Sequence, residues 1–176
     1  MSPRVVLVGP PGAGKSTIGR RLAHALNTSL VDSDALIEAE YGRPCGEVYA
    51  DLGEAAFREV EAVKVAEALE TSGVVSLGGG AVVTESNREL LAHHAVVWID
   101  VSATEGVRRT AAEGTRPVLE ADNPMERYQQ LLDQRMPLYR EVAGYRARTD
   151  GRTPQQVVAD VLNYLETHSD THEKDS

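Results

Sequence analysis

Residues 9–17 read Gly9-Pro10-Pro11-Gly12-Ala13-Gly14-Lys15-Ser16-Thr17 and fit the pattern G-x-x-x-x-G-K-[ST]. They follow the apolar run Val5–Val8, a predicted buried strand, and open a predicted helix over Lys15–Leu26. In that context the backbone N–H groups of a glycine-rich turn converge on phosphate oxygens, and the helix N-terminus adds its positive dipole. Lys15 can reach the β- and γ-phosphates, and the Ser16 hydroxyl can bind Mg²⁺. The stretch therefore predicts a phosphate-binding loop for a nucleoside triphosphate, with contacts from Gly12, Ala13, Gly14, Lys15, Ser16 and Thr17.

Strands and helices alternate along the rest of the chain. Four further strands are predicted at Leu30–Val31, Val74–Leu77, Ala95–Val101 and Tyr145–Thr149. The predicted helices between and after them are Glu54–Leu69, Asn87–Leu91, Thr104–Ala112, Pro124–Tyr139 and Pro154–Leu165. This alternation predicts an α/β fold with a central parallel sheet. The polar stretch Glu166–Ser176 is expected to fray into solvent.

Composition narrows the class of protein. The chain has 176 residues, with 41% hydrophobic and 26% charged residues, which indicates one globular domain over residues 1–176 and excludes wholesale disorder. The 27 acidic residues outnumber the 18 basic ones, so a surface that binds nucleic acid or an anionic membrane is not expected. The single cysteine excludes an intramolecular disulfide. With no signal-peptide pattern and no long apolar face, the chain is expected to be a cytoplasmic monomer.

Two carboxylates follow the second predicted strand, in Asp32-Ser33-Asp34. Alternate residues of an extended segment share a face, so both side chains can point into one cleft beside the phosphate loop. Phosphoryl transfer needs an acidic group near Mg²⁺ and an acceptor for the proton of the substrate hydroxyl. Asp32 suits the water shell of the metal, and Asp34 suits the hydroxyl. The alternative is that Asp34 only caps a helix beginning at Ala35.

Three consecutive glycines, Gly78, Gly79 and Gly80, end the strand candidate Val74–Leu77. Without side chains, they expose backbone groups at the sheet edge where ligands bind in open α/β folds. The alternative is that the three glycines form only a flexible connector. Neither the guanine-reading motif N-K-x-D of GTPases nor a strand ending in adjacent acids, as in motors, is present. These features favour a small-molecule kinase.

Arginines recur at loops and helix ends of this acidic chain: Arg58, Arg116, Arg135 and Arg152. Taken singly, each of these arginines is more often a solvated surface side chain than a ligand-binding residue. Arg116 lies in a stretch punctuated by Gly114 and Pro117 that can close over a bound nucleotide. Arg58 follows Phe57, an apolar and guanidinium pair that suits a ring bearing a carboxylate.

Together and in this order, these motifs resemble those of the shikimate kinase family. The resemblance covers about residues 4–165 and includes Pro137-Leu138-Tyr139 after Arg135. It implies a nucleoside-monophosphate-kinase-like, three-layer P-loop sandwich with a five-stranded parallel sheet. It also implies a substrate subdomain at about residues 33–61 and a mobile lid at about residues 111–123. The implied reaction transfers the ATP γ-phosphoryl group to the 3-hydroxyl of shikimate, in aromatic amino-acid biosynthesis.

The resemblance also assigns roles to residues. Lys15, Asp34 and Arg116 would be catalytic, with Ser16 binding Mg²⁺ directly and Asp32 through water. Shikimate would be bound by Asp34, by the carboxylate clamp Arg58 and Arg135, and by the backbone of Gly78, Gly79 and Gly80. The adenine would lie between Arg109 and the pair Arg152 and Pro154.

Three positions depart from the family pattern: Cys45, Tyr49 and Val118. None of them carries the implied chemistry, and Cys45 also reads as a small buried hydrophobic residue. Two alternatives stay open at this point. One is another small-molecule P-loop kinase, acting on gluconate or a nucleoside monophosphate; the other is a nucleotide-binding regulatory protein without catalysis.

Overall fold

The computed structural model describes residues 2–113 and 123–174. Five strands lie at β1 (Val5–Val8), β2 (Leu30–Asp32), β3 (Val74–Ser76), β4 (Val96–Asp100) and β5 (Tyr145–Arg148). The helices are α1 (Lys15–Ala25), α2 (Ser33–Tyr41), α3 (Cys45–Ala68), α4 (Glu85–Leu91), α5 (Ala103–Glu113), α6 (Pro124–Val142) and α7 (Pro154–Lys174), with a 3₁₀ turn at Ala81–Val83. The predicted α/β class is confirmed.

The five strands form one parallel sheet in the order β2-β3-β1-β4-β5. β1 pairs with β3 on one side and with β4 on the other, so the strand order reverses beside it. Ligands of open α/β sheets bind at such a point, outside the carboxyl ends of the strands. The loops that follow β1, β2 and β3 all emerge at this edge, which confirms the placement predicted for the phosphate loop, the aspartates and the glycines.

Each face of the sheet buries its own apolar cluster. The first cluster joins Leu7 and Ile99 to α1 through Leu22 and to α7 through Val161. The second joins Val6 and Trp98 to residues of α3 and α4, and the Trp98 side chain is buried in it. Helix α6 contributes to both, with Tyr128 in the first cluster and Tyr139 in the second. Among the described residues, no helix is long and apolar enough to cross a membrane.

Helices α2 and α3 carry a small third cluster, made of Ile37, Val48 and Phe57. It occupies the region for which a substrate subdomain is predicted. Cys45 packs against it and donates its Sγ–H to the carbonyl oxygen of Asp34 at 3.4 Å. Burial raises the pKa of the Cys45 thiol, so the group stays protonated.

Two predicted helices differ from those observed by more than three residues at one end. α3 begins at Cys45 rather than Glu54 and breaks at Gly53, whose φ of 80° interrupts the helical spacing of apolar residues. α7 continues past Leu165 to Lys174, where a frayed tail was expected. The predicted lid at 111–123 falls largely on residues 114–122, which lie outside the described residues.

Candidate active site

The carboxyl ends of β1, β2 and β3 surround a cavity of about 160 Å³. It is lined by Pro11, Gly12, Gly14, Lys15, Ser16, Thr17, Asp32, Asp34, Ser76, Leu77, Gly78, Gly79, Gly80 and Arg135. The phosphate loop, both aspartates, the glycine triplet and one predicted arginine therefore meet at one place. Residues that lie far apart in the sequence are brought together because the sheet aligns the ends of its strands.

The phosphate loop turns sharply between β1 and α1. A Cβ on Gly9 would collide with the carbonyl oxygen of Ile99, and Gly14, with φ 97°, precedes the first turn of α1. Both positions require glycine for steric or conformational reasons. Lys15 Nζ donates to the carbonyl oxygens of Gly9 at 2.6 Å and Pro10 at 3.0 Å. These bonds hold the ammonium group over the loop.

The two aspartates have different tasks at the start of α2. Asp32 caps the helix, since its Oδ1 accepts from the backbone N–H of Asp34 at 2.8 Å and of Ala35 at 3.4 Å. The alternative in which Asp34 caps a helix beginning at Ala35 is therefore wrong. The Asp34 carboxylate lies instead against Gly78, where a Cβ would collide with it. Ser33 adds a further link, because its Oγ accepts the backbone N–H of Gly78 at 3.0 Å.

Three hard oxygen donors line the cavity at the N-terminal ends of α1 and α2, namely the Ser16 hydroxyl and the carboxylates of Asp32 and Asp34. Among the described residues, no group of three His, Cys, Asp or Glu side chains could hold a metal ion by itself. This donor set fits a Mg²⁺ ion that arrives with a nucleotide, because such an ion takes most of its oxygens from phosphate and water and one or two from protein.

The glycine triplet packs against both clamp arginines. A Cβ on Gly80 would overlap the guanidinium group of Arg58, and one on Gly79 would lie 3.4 Å from Nη1 of Arg135. Arg58 itself is oriented by Glu61, whose Oε1 accepts from Nη1 at 2.9 Å. Burial raises the pKa of Glu61, and the neighbouring guanidinium of Arg58 opposes that rise. Glu61 was not predicted as a site residue, although its i,i+3 spacing from Arg58 on a predicted helix indicates that the two side chains can pair.

Arg109 connects the phosphate loop to the loop after β5. Its Nη1 donates to the carbonyl oxygens of Gly12 and Ala13, both at 3.3 Å, and to Oγ1 of Thr149 at 3.0 Å. The backbone N–H of Arg152 donates to the carbonyl oxygen of Thr149, and its side chain pairs with Asp160. The residues predicted around adenine thus lie on adjoining segments, with Pro154 opening α7. Arg116 lies outside the described residues.

Comparisons with known proteins agree with this geometry. The family model described as "SKI: Shikimate kinase" matches residues 11–166. A shikimate kinase from Corynebacterium efficiens is 69% identical over 164 residues, which cover 93% of this chain and 97% of that relative. Among solved structures, the shikimate kinase from Acinetobacter baumannii in complex with shikimate has a TM-score of 0.89 at 34% identity, covering 96% of this chain and 94% of that one. A gluconokinase from Sinorhizobium meliloti, at 18% identity and a TM-score of 0.64 over 98% and 96% of the two chains, shares the fold alone. The chain belongs to the shikimate kinase family.

Proposed function

We propose that this protein transfers the γ-phosphoryl group of ATP to the 3-hydroxyl of shikimate, giving shikimate 3-phosphate and ADP. The observation that carries the proposal is the meeting, in one cavity, of the phosphate loop, Asp34 and the arginine-backed glycine triplet. The phosphate loop suits a triphosphate. Asp34 and the glycine triplet with its arginines suit an acceptor that carries both hydroxyls and a carboxylate. Membership of the family supports the same reaction.

In the proposed mechanism, the bond between the γ-phosphorus and the bridging oxygen breaks while the 3-hydroxyl oxygen bonds to that phosphorus. The Lys15 ammonium group neutralises negative charge on the β- and γ-phosphate oxygens during the transfer. Asp34 orients the hydroxyl and accepts its proton. Ser16 and Asp32 would hold Mg²⁺, which neutralises phosphate charge when bound. On sequence grounds, Arg116 is proposed to contact the phosphates, with Arg109, Arg152 and Pro154 around the adenine.

An ADP-release assay tests the proposed function. ATP and Mg²⁺ are supplied with shikimate, gluconate or AMP in separate reactions, and ADP is followed through a coupled enzyme. Rapid release with shikimate alone is the expected result. Preferred turnover of gluconate or AMP would assign the protein to another small-molecule kinase class, and no turnover with any acceptor would favour a regulatory protein.

Substituting Arg58 or Arg135 with alanine is expected to raise the shikimate KM about 10- to 100-fold, because a charge-assisted bond to a carboxylate contributes roughly 1.5–3 kcal/mol. The ATP KM should change little. Lysine at either position should restore the shikimate KM only partly, because an ammonium group cannot donate the two parallel hydrogen bonds that a guanidinium group donates to a carboxylate. Arg43→Ala is the matched control, because Arg43 pairs with Asp51 on the same subdomain at an exposed position. An effect confined to ATP binding would contradict the clamp.

Glu61→Gln is expected to raise the shikimate KM about 3- to 10-fold, because the charge that orients Arg58 is lost while the side-chain volume is kept. Glu54→Gln is the control, since Glu54 also neighbours Arg58 on α3 but is largely exposed and 4.0 Å from Nε. Steady-state kinetics with varied shikimate measure both variants. Equal KM values for the two would show that Glu61 does not position the arginine.

The protein is further proposed to act as a monomer in the cytoplasm. The large exposed apolar side chains of the described residues are spread over several elements, and they are Tyr49, Leu52, Val63, Val83, Leu90 and Met125. Single exposed apolar residues need no partner. Size-exclusion chromatography with light scattering tests the monomer, since a stable dimer would double the measured mass.

A further inference from the structure

Helix α6 sends two buried tyrosine hydroxyls to the backbone of the two ligand-binding loops. Tyr128 donates its hydroxyl to the carbonyl oxygen of Pro11 in the phosphate loop. Tyr139 donates to the carbonyl oxygen of Gly79 in the glycine triplet at 2.6 Å. Both side chains are fully buried. The residues are eleven positions apart, which is about three turns at 3.6 residues per turn, so they share one face of α6.

The two loops also touch each other at the point that this helix face approaches. A Cβ on Gly79 would lie 3.1 Å from Cδ of Pro11 and 3.3 Å from the carbonyl oxygen of Gly9. Arg135 lies between the two tyrosines on α6, and its guanidinium group is next to Gly79. One helix therefore contacts both the phosphate loop and the glycine triplet.

The two tyrosine rings pack against different parts of the fold. A Cβ on Gly106 would collide with the ring of Tyr128, so this ring packs directly on α5, which carries Arg109 and its bonds to Gly12 and Ala13. Tyr139 packs instead against Trp98, with ring centroids 5.7 Å apart, in the cluster on the opposite face of the sheet.

We infer that Tyr128 and Tyr139 are positioning residues, the first fixing the phosphate loop for ATP and the second fixing the glycine triplet for the acceptor. The inference rests on the proposed function for the identity of the acceptor. Neither tyrosine is expected to touch a substrate. Each acts through the backbone carbonyl that it binds, and α6 sets the distance between the two loops.

Burial keeps both hydroxyls protonated, because it raises the pKa of Tyr128 and raises that of Tyr139 to about 12. A donor lost at either place leaves a carbonyl oxygen facing an apolar ring edge, and the loop is then free to shift toward another partner. A loop displaced by a fraction of an ångström weakens the ligand bound to it, while a purely structural bond would affect stability without favouring either ligand.

The test compares Tyr128→Phe and Tyr139→Phe, with Tyr164→Phe as the matched control. Tyr164 stacks on Tyr145 at 5.0 Å on α7, away from the cavity. Tyr128→Phe is expected to raise the ATP KM about 5- to 30-fold and the shikimate KM less than threefold, and Tyr139→Phe the reverse, with kcat nearly kept in both. The control should leave both KM values unchanged.

Thermal unfolding of each variant shows whether the fold is retained at the assay temperature. Equal changes in both KM values, or no change in either, would overturn the positioning roles. Calorimetry with ADP gives a readout that is independent of the acceptor, in which only Tyr128→Phe should weaken binding. If the wild-type protein turned over no shikimate, the proposed function and the Tyr139 half of the inference would fail together, while ADP binding would still decide the Tyr128 half.

Discussion

Lys15→Ala is expected to lower kcat by about 10³-fold or more, to the background of the ADP-release assay, because it removes a cation that follows the migrating phosphoryl charge. The side chain already lies over the loop through its bonds to the carbonyl oxygens of Gly9 and Pro10. A bound triphosphate offers the ammonium group charged oxygens, which are stronger acceptors than neutral carbonyls. Little reorganisation is needed before the lysine reaches the β- and γ-phosphates.

Lys64→Ala is the control for the loss of a lysine. Its ammonium group pairs with Glu40 of α2 and Glu67 of α3, and Lys64 does not line the cavity. That variant should keep the wild-type rate. Circular dichroism and the thermal midpoint establish that Lys15→Ala is folded, which is expected because its backbone turn is fixed by glycines. Turnover near the wild-type rate in a folded Lys15→Ala protein would exclude the phosphate loop from catalysis.

The ligand-binding loops at the carboxyl edge of the sheet could be predicted because the sequence patterns that encode them are local. Strand, glycine-rich turn and helix follow each other directly at residues 5–25, so the loop after β1 needed no long-range information. Parallel strands then align the segments that begin at Asp32 and Gly78. The first part of α3 escaped prediction because Gly46 and Gly53 interrupt its apolar spacing.

Groups that act through tertiary contacts were harder to predict. The helix cap is Asp32 and not Asp34, the alternative considered from the sequence, because α2 begins at Ser33 rather than at Ala35, and a boundary shift of two residues decides which carboxylate is the cap. At helical spacing, Tyr128 has Leu131 and Leu132 beside it and Tyr139 has Met136, which is typical of core positions. Their bonds to Pro11 and Gly79 join residues separated by 117 and 60 positions, and no local pattern encodes them.

Asp34→Asn is expected to lower kcat by roughly 10²- to 10⁴-fold, the range for a lost general base, with ATP affinity nearly unchanged. A secondary alcohol becomes a useful nucleophile only when its proton has an acceptor and its oxygen is fixed in line with the γ-phosphorus. Asp34 is proposed to meet both needs, because it lines the cavity with Lys15 and lies against Gly78. Asparagine keeps the shape and one acceptor oxygen but loses the charge.

The remaining structural explanation for Asp34 is its charge in the first turn of α2, where a carboxylate favours the helix dipole by about 0.3–1 kcal/mol. On that explanation, Asp34→Asn lowers the thermal midpoint slightly and leaves kcat unchanged. Asp133→Asn controls for the substitution itself, because Asp133 lies on the exposed side of α6 and accepts a hydrogen bond from Gln129. The transition state of phosphoryl transfer is loose, so we expect Asp34 to act through orientation of the hydroxyl as well as through its basicity, and the oxygen that asparagine keeps should recover only part of the rate. Steady-state rates at saturating ATP and shikimate distinguish the two explanations, and a wild-type kcat in Asp34→Asn would exclude a catalytic role for the carboxylate.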